Sequence, residues 1–258
     1  MTSSVPIIKL DIKSSHLAVR VLLNGVPRAL SNGEPIEQNG IENEWIRPGT
    51  NTLQCMLVWP TGIPFAPGVA RFSATLRVWN IQDDPEQLIL ERVMQWPQER
   101  VPEVYPKRLE DAFELPDFPG TTLWSDCDIL QAITPRDRSS VRELLSGLHA
   151  AYTRQDVPSL MTLVRTKGRD LARAFGDKPE ERLQAMQEFA HALFNTPGWG
   201  MQDLDLHALE MDLVAGQRLL EVTAPGRQFP IKSVRTREFE WAMPVYAGRT
   251  GDTWRIIR

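Results

Sequence analysis

The apolar residues of this 258-residue chain change their spacing twice along its length, and that change limits the fold more than any other feature. Up to about residue 125 they recur every second position, the mark of strands with one buried face. From Thr134 to Leu193 the interval becomes 3.6, the mark of helices with one apolar stripe. It then returns to two. A strand-rich segment before a helix-then-strand segment predicts two domains. We expect an antiparallel β-sandwich over residues 1–125, a connector over 126–134, and an α+β domain over 135–258 with three helices followed by about four antiparallel strands.

In the first half, Ile8, Leu10 and Ile12 alternate with Lys9, Asp11 and Lys13, and Leu17, Val19, Val21 and Leu23 repeat the pattern. Asn24-Gly25 predicts a tight turn, because both residues tolerate positive φ. The turn Arg47-Pro48-Gly49-Thr50-Asn51 leads into a strand over 52–59. After a Pro/Gly loop over 60–68, Phe72, Ala74, Leu76 and Val78 share one face, and a further strand covers 88–96. Five prolines between Pro97 and Pro119 exclude a long helix or a central strand there. An edge strand is expected near Ala112–Leu115.

In the second half, Thr134-Pro135-Arg136-Asp137 supplies an N-cap, a proline at the first helical position and an acid in the first turn. Val141, Leu144, Leu145, Leu148 and Tyr152 form the first stripe. A second helix opens at Asp156-Val157-Pro158, with a break expected at Gly168. A third opens at Asp177-Lys178-Pro179 and stops at Pro197-Gly198. Afterwards Leu209, Met211 and Leu213, then Leu220 and Val222, then Phe239, Trp241, Met243 and Val245 follow strand alternation, and Trp254 and Ile256 follow last.

Two resemblances rest on these segments. Leu22-Leu23-Asn24-Gly25, followed by Trp45-Ile46-Arg47-Pro48-Gly49-Thr50-Asn51-Thr52-Leu53, is similar to the turn signature of jelly-roll accessory domains in carbohydrate-active enzymes. It bears on fold and carries no function. The helix–turn–helix of residues 141–163 around Arg154-Gln155-Asp156, with the ending Gly251-Asp252-Thr253-Trp254-Arg255-Ile256-Ile257, resembles the nuclear transport factor-like superfamily. That superfamily of cone-shaped α+β barrels includes ketosteroid isomerases and scytalone dehydratases, and many members are non-catalytic. The resemblance implies a cone over about 134–258 whose interior is the place for any chemistry.

Acid/base residues in such a cone must share the inward, apolar parity. Glu210, Asp212, Glu221, Glu238 and Glu240 have the opposite parity, which predicts a solvated or partner-binding outer face. His207 shares parity with Leu209 and Met211, and His149 and Tyr152 lie on or beside the first helical stripe. These three are the candidate pocket residues; core packing is the plainer account of them. His191 is expected to be exposed, and His16 sits at a strand entrance. On a strand His207 and Glu210 face opposite sides and cannot share a metal. No metal or cofactor is expected, and no phosphate-binding glycine motif or nucleophile elbow occurs. Trp79, on the polar parity of its strand beside Thr75 and Arg77, is the candidate for stacking on a sugar ring.

With 29 Lys+Arg against 33 Asp+Glu, the net charge of −4 argues against nucleic-acid binding. Cys55 and Cys127 have no CxxC spacing and read as free thiols. The absence of a signal-like or membrane-spanning run predicts a cytoplasmic chain. The expected function is therefore a non-catalytic protein that engages a protein partner, of adaptor or immunity type. The alternatives are an isomerase, dehydratase or hydrolase centred on His149, Tyr152 and His207, and a carbohydrate-binding module using Trp79.

Overall fold

The computed structural model describes residues 5–59, 70–80, 84–96, 106–116, 118, 123–237 and 239–258. It is a mixed structure of antiparallel sheets and three helices. Its contacts group into two compact units, Met1–Thr121 with Ala174–Gly176, and Thr122–Arg173 with Asp177–Arg258.

The first unit holds strands β1 (Ile7–Ser15), β2 (Ala18–Leu23), β3 (Val26–Asn32), β4 (Ile36–Ile41), β5 (Gly49–Val58), β6 (Arg71–Trp79), β7 (Leu88–Trp96) and β8 (Lys107–Leu115). They form two four-stranded sheets, ordered β4-β1-β6-β7 and β3-β2-β5-β8. Alternation decides which side of each is dry: Ile8, Leu10 and Ile12 are buried in one, and Leu53, Cys55 and Leu57 in the other. The buried faces meet, since Cys55 Sγ of β5 lies 3.5 Å from Met94 Sδ of β7. His16, with φ 60, turns the chain from β1 in one sheet to β2 in the other. Asn24 and Gly25 both have positive φ and make the expected two-residue hairpin between β2 and β3.

Two features of this unit differ from expectation. Strand β8 runs over nine residues, paired with β5 from Gly49↔Leu115 to Leu57↔Lys107. Its prolines, Pro106 and Pro116, bracket the strand, so none removes a ladder donor. Trp79 is buried, with 5% of its surface exposed. The register slips at Val78/Trp79, which pair with Leu90 and Leu88 and leave Ile89 unmatched. A bulge of this kind breaks the alternation, so Trp79 and Val78 are both buried while Ile89 is exposed. The sugar-stacking role expected of Trp79 is not compatible with that burial.

The second unit begins with α1 (Pro135–Thr153), α2 (Val157–Phe175) and α3 (Pro179–Phe194). Thr134 and Asp137 make a reciprocal capping box: Asp137 N donates to Thr134 Oγ1 at 3.2 Å, and Thr134 N donates to Asp137 Oδ2 at 3.0 Å. Burial raises the Asp137 pKa, but the bonds from Thr134 and the Arg249 charge outweigh it and hold the carboxyl below its ordinary value. Helix α2 is unbroken. Gly168 instead gives α3 room, since a Cβ there would meet Leu183 Cδ2 at 2.6 Å and Met186 Sδ at 2.9 Å.

Strands β9 (Glu210–Val214), β10 (Leu219–Thr223), β13 (Val245–Thr250) and β14 (Thr253–Ile256) make one antiparallel sheet, ordered β14-β13-β10-β9. β11 (Ile231–Lys232) and β12 (Ala242–Met243) form a separate pair. The single alternating strand expected over 239–245 is thus divided. Pro244, which has no N–H to donate, separates β12, paired with β11, from β13, paired with β10. Met211, Leu220, Val222 and Val245 from the strands pack with Val141, Leu145 and Leu148 of α1 in one core.

Candidate functional site

The second unit contains a cavity of about 310 Å³ walled mainly by α2 and α3. Helix α2 contributes Leu160, Val164, Lys167 and Leu171, at intervals of four, three and four residues that place them on one face. Helix α3 contributes Met186, Phe189, Ala190 and Leu193 at the same type of interval. Tyr152 of α1 and the segment Trp241–Pro244 complete the lining. Phe189 leaves 56% of its surface exposed, although its helical neighbours Ala190 and Leu193 are buried.

Tyr152 belongs to an aromatic cluster. Its ring centroid lies 4.8 Å from that of Trp241 and 6.1 Å from that of Phe194, with Trp199 adjoining all three. Its hydroxyl donates to Met243 Sδ at 3.7 Å, a weak acceptor. Burial raises the phenol pKa above its ordinary value, so the hydroxyl stays protonated and acts as a donor at neutral pH.

The expected pocket residues do not converge. Tyr152 lines the cavity; His149 and His207 do not. His149 Nε2 lies 2.7 Å from the carbonyl oxygen of Gln202, which can only accept, so this nitrogen carries the proton. His207 is exposed in a bend before β9 rather than facing inward from a strand. Asp205 Oδ1 accepts from the backbone N–H groups of His207 and Ala208 at 2.9 and 3.2 Å, and this turn delays the strand until Glu210. The inward position expected for His207 is thereby corrected. His191 and His16 are exposed.

The strand acids are arranged as a network. Glu210, Asp212 and Glu240 are exposed, Glu221 is mostly covered, and Glu238 lies outside the described residues. Asp212 and Glu221 are directly opposite on β9 and β10. Two carboxylates so placed repel, and Arg227 lies between them at 3.0 and 2.6 Å. Tyr246 donates to Glu221 at 3.0 Å, and Arg235 approaches Glu240 at 3.5 Å. The face expected to be acidic therefore carries its own cations.

Cys55 and Cys127 are free and buried, with pKa values pushed up to about 12 and about 11 by burial, which suppresses their thiolates. No cluster of His, Cys, Asp and Glu among the described residues has the makings of a metal site. No helix among them is long and apolar enough to cross a membrane.

Lys167 and Phe189 are among the cavity residues that the sequence patterns do not single out, as are Met161, Ala242 and Pro244. The available signal was a lysine three residues after Val164 and four before Leu171, inside an otherwise apolar stripe. Comparison of the chain with protein-family models, curated proteins and solved structures finds no match.

Proposed function

We propose that the chain is a binding protein whose second unit receives a small apolar molecule. The observation that carries this reading is the cavity between α2 and α3. Its volume of about 310 Å³ is at the lower end of the range for small-molecule sites, and its walls are aliphatic, aromatic and thioether groups. The partly exposed Phe189 ring at this lining gains burial when a ligand covers it. A lining with Lys167 and a protonated Tyr152 as its ionisable groups suits retention better than acid/base turnover. In finer terms, we read the two units as a β-sandwich domain and a cone-like α+β domain of nuclear transport factor-like type.

The test is a thermal-shift and calorimetric titration of the full chain with medium-chain alkyl compounds, beside Ala190→Leu, which fills the cavity. Binding by the parent and its loss in the variant is the expected result. Equal binding by both removes the cavity from the account.

A protein partner is the second reading, and a different surface favours it. Leu30, Arg20, Met56 and Arg108 lie side by side across β3, β2, β5 and β8. Leu30 and Met56 are 49% and 47% exposed, an apolar pair set among cations on one sheet face. Cross-linking mass spectrometry on a native complex should place the partner on this row. Leu30→Glu with Met56→Glu should abolish that complex, and an unchanged complex would reject the surface.

A further inference from the structure

We propose that the outer face of α2 binds an acidic amphipathic helix of a protein partner, with Arg165, Arg169 and Arg173 as the residues that recognise its carboxylates. This surface is independent of both the cavity and the sheet face described above.

The three arginines stand four residues apart on α2, so they fall in one line along the helix at steps of about 6 Å. Each residue turns a helix by about 100°, which sets this line on a different side of α2 from Leu160, Val164 and Leu171 of the cavity lining. All three are exposed, and none has an ion pair or a side-chain hydrogen bond among the described residues. Arg28, Arg77, Arg227 and Arg249, by contrast, each sit against a carboxylate of the chain. The one acid of α2, Asp170, is buried against Arg258, so no carboxylate of the helix offsets the line. Like charges four residues apart repel and weaken a helix, and an anionic partner relieves that repulsion.

Beside the line lies a groove of about 300 Å³ between α2 and α3. Arg165 and Arg169 form its α2 side, Gln184 and Gln187 its α3 side, and Met161 and Leu183 are half-buried apolar members of the lining. Gln184 donates to Glu188 at 2.8 Å, which leaves the Gln187 amide as the donor on the α3 side. Glu180 is the one carboxylate among the described residues of this lining, and it makes no ion pair with either arginine. Guanidinium forks suit carboxylates, and the apolar pair suits an aliphatic side chain. A helix with glutamate at every fourth residue repeats its charge at the same interval as α2 and carries an aliphatic side chain three residues on, beside its charged row. The match is therefore one of spacing as well as of sign.

Other polyanions fit less well. No aromatic ring is among the described residues of the groove for bases to stack on, and the net charge of the chain is −4. A membrane-surface helix presents a bulky apolar face, whereas the apolar residues here are recessed between charged and amide groups.

The experiment is fluorescence anisotropy of the full chain with labelled peptides of about 15 residues, a length at which isolated helices begin to form. One peptide carries glutamate at every fourth position and leucine three residues after each; the other has the same composition in scrambled order. A single-stranded DNA oligonucleotide and phosphatidylserine vesicles are the further probes. The patterned peptide should bind about tenfold tighter than the scrambled one and tighter than the oligonucleotide or the vesicles. The combined variant Arg165→Gln, Arg169→Gln and Arg173→Gln should keep the melting temperature of the parent and bind the patterned peptide at least tenfold more weakly, roughly the effect of removing three charge-assisted contacts at an exposed surface. Glu180→Gln, which removes the carboxylate of the groove, should tighten binding. No binding of the patterned peptide, equal affinity for the two peptides, undiminished binding by the triple variant, or tighter binding of the oligonucleotide or the vesicles overturns the acidic helix as the occupant.

Discussion

Asn24 Nδ2 donates to Asn51 Oδ1 at 2.8 Å, joining two turns that are 27 residues apart in sequence. Asn51 is fully buried and fully used: its Oδ1 also accepts from Arg47 N at 3.0 Å, and its Nδ2 donates to the carbonyls of Arg47 and Gly49 at 2.9 Å each. Asn24 in turn holds Trp45 O at 2.7 Å and Thr52 N at 2.9 Å. Asn51→Ala should destabilise the first unit by about 3 kcal/mol, because several buried backbone groups lose their partners at once. Asn51→Asp should cost more, since it removes both donations and buries a charge. Chemical denaturation checks both. A loss under about 1 kcal/mol would show that water replaces the side chain.

Asp170 and Arg258 make a buried ion pair in the second unit, with Oδ2 and Nη2 2.5 Å apart. Asp170 Oδ1 also accepts from Leu123 N at 3.0 Å. Asp170→Asn preserves an acceptor for Leu123 but leaves the Arg258 charge uncompensated, at a cost of about 3 kcal/mol. Adding Arg258→Met should return much of that loss. Denaturation of both single variants and the double variant supplies the cycle, and strictly additive losses would show that the pair is not coupled.

Gly248 lies in β13, inside its sheet, where a methyl group has no space. A Cβ there would run into Cys127 Sγ and reach Ile257 Cγ1 at 2.9 Å and Leu219 Cδ2 at 3.0 Å. Gly248→Ala should destabilise by about 2 kcal/mol through overpacking. In a Cys127→Ala background the same change should cost about 1 kcal/mol less, because one of the three obstacles is gone. Thermal melts of the four proteins decide it.

Glu42 carries a pH dependence that falls between the ordinary carboxylate range and neutrality. It is 2% exposed, its Oε2 lies 2.6 Å from Arg28 Nε, and that guanidinium sits over the Trp45 ring. Burial pushes its pKa up to about 7 from 4.5, outweighing the attraction of Arg28. A raised folded-state pKa means that the folded chain holds more protons between those two values. The stabilising contribution is complete below about pH 4.5 and is lost as pH rises through about 7. The span amounts to about 3 kcal/mol. Glu42→Gln should flatten the stability profile over this window, so the variant gains on the parent as pH rises. Parallel profiles would show that Arg28 holds the carboxylate ionised throughout.

Much of the local structure was legible because it depends on neighbours in sequence. The Asn24-Gly25 hairpin, the Thr134 cap and the alternation of Ile8, Leu10 and Ile12 depend on φ preference, a reach of three residues and side-chain parity. The misplaced residues failed for nonlocal reasons. Parity places Trp79 on the polar face only while the ladder is unbroken, and the bulge opposite Ile89 breaks it. Gly168 suggested a helix break by propensity, but its lack of a side chain serves Leu183 and Met186 of another helix. Alternation puts His207 on a strand, but the Asp205 turn delays that strand until Glu210.

By itself, then, the sequence determined the periods, the turns and the helix starts, since each is settled within a few residues by backbone sterics and hydrogen bonding. It did not determine the site. Lys167 is an ordinary lysine on α2 until α3, Tyr152 and Trp241 close the other sides of a cavity around it. Asp212 and Glu221 are two outward acids until strand pairing sets them opposite each other and Arg227 enters between them. Those outcomes belong to tertiary structure because burial and charge pairing depend on atoms distant in the chain.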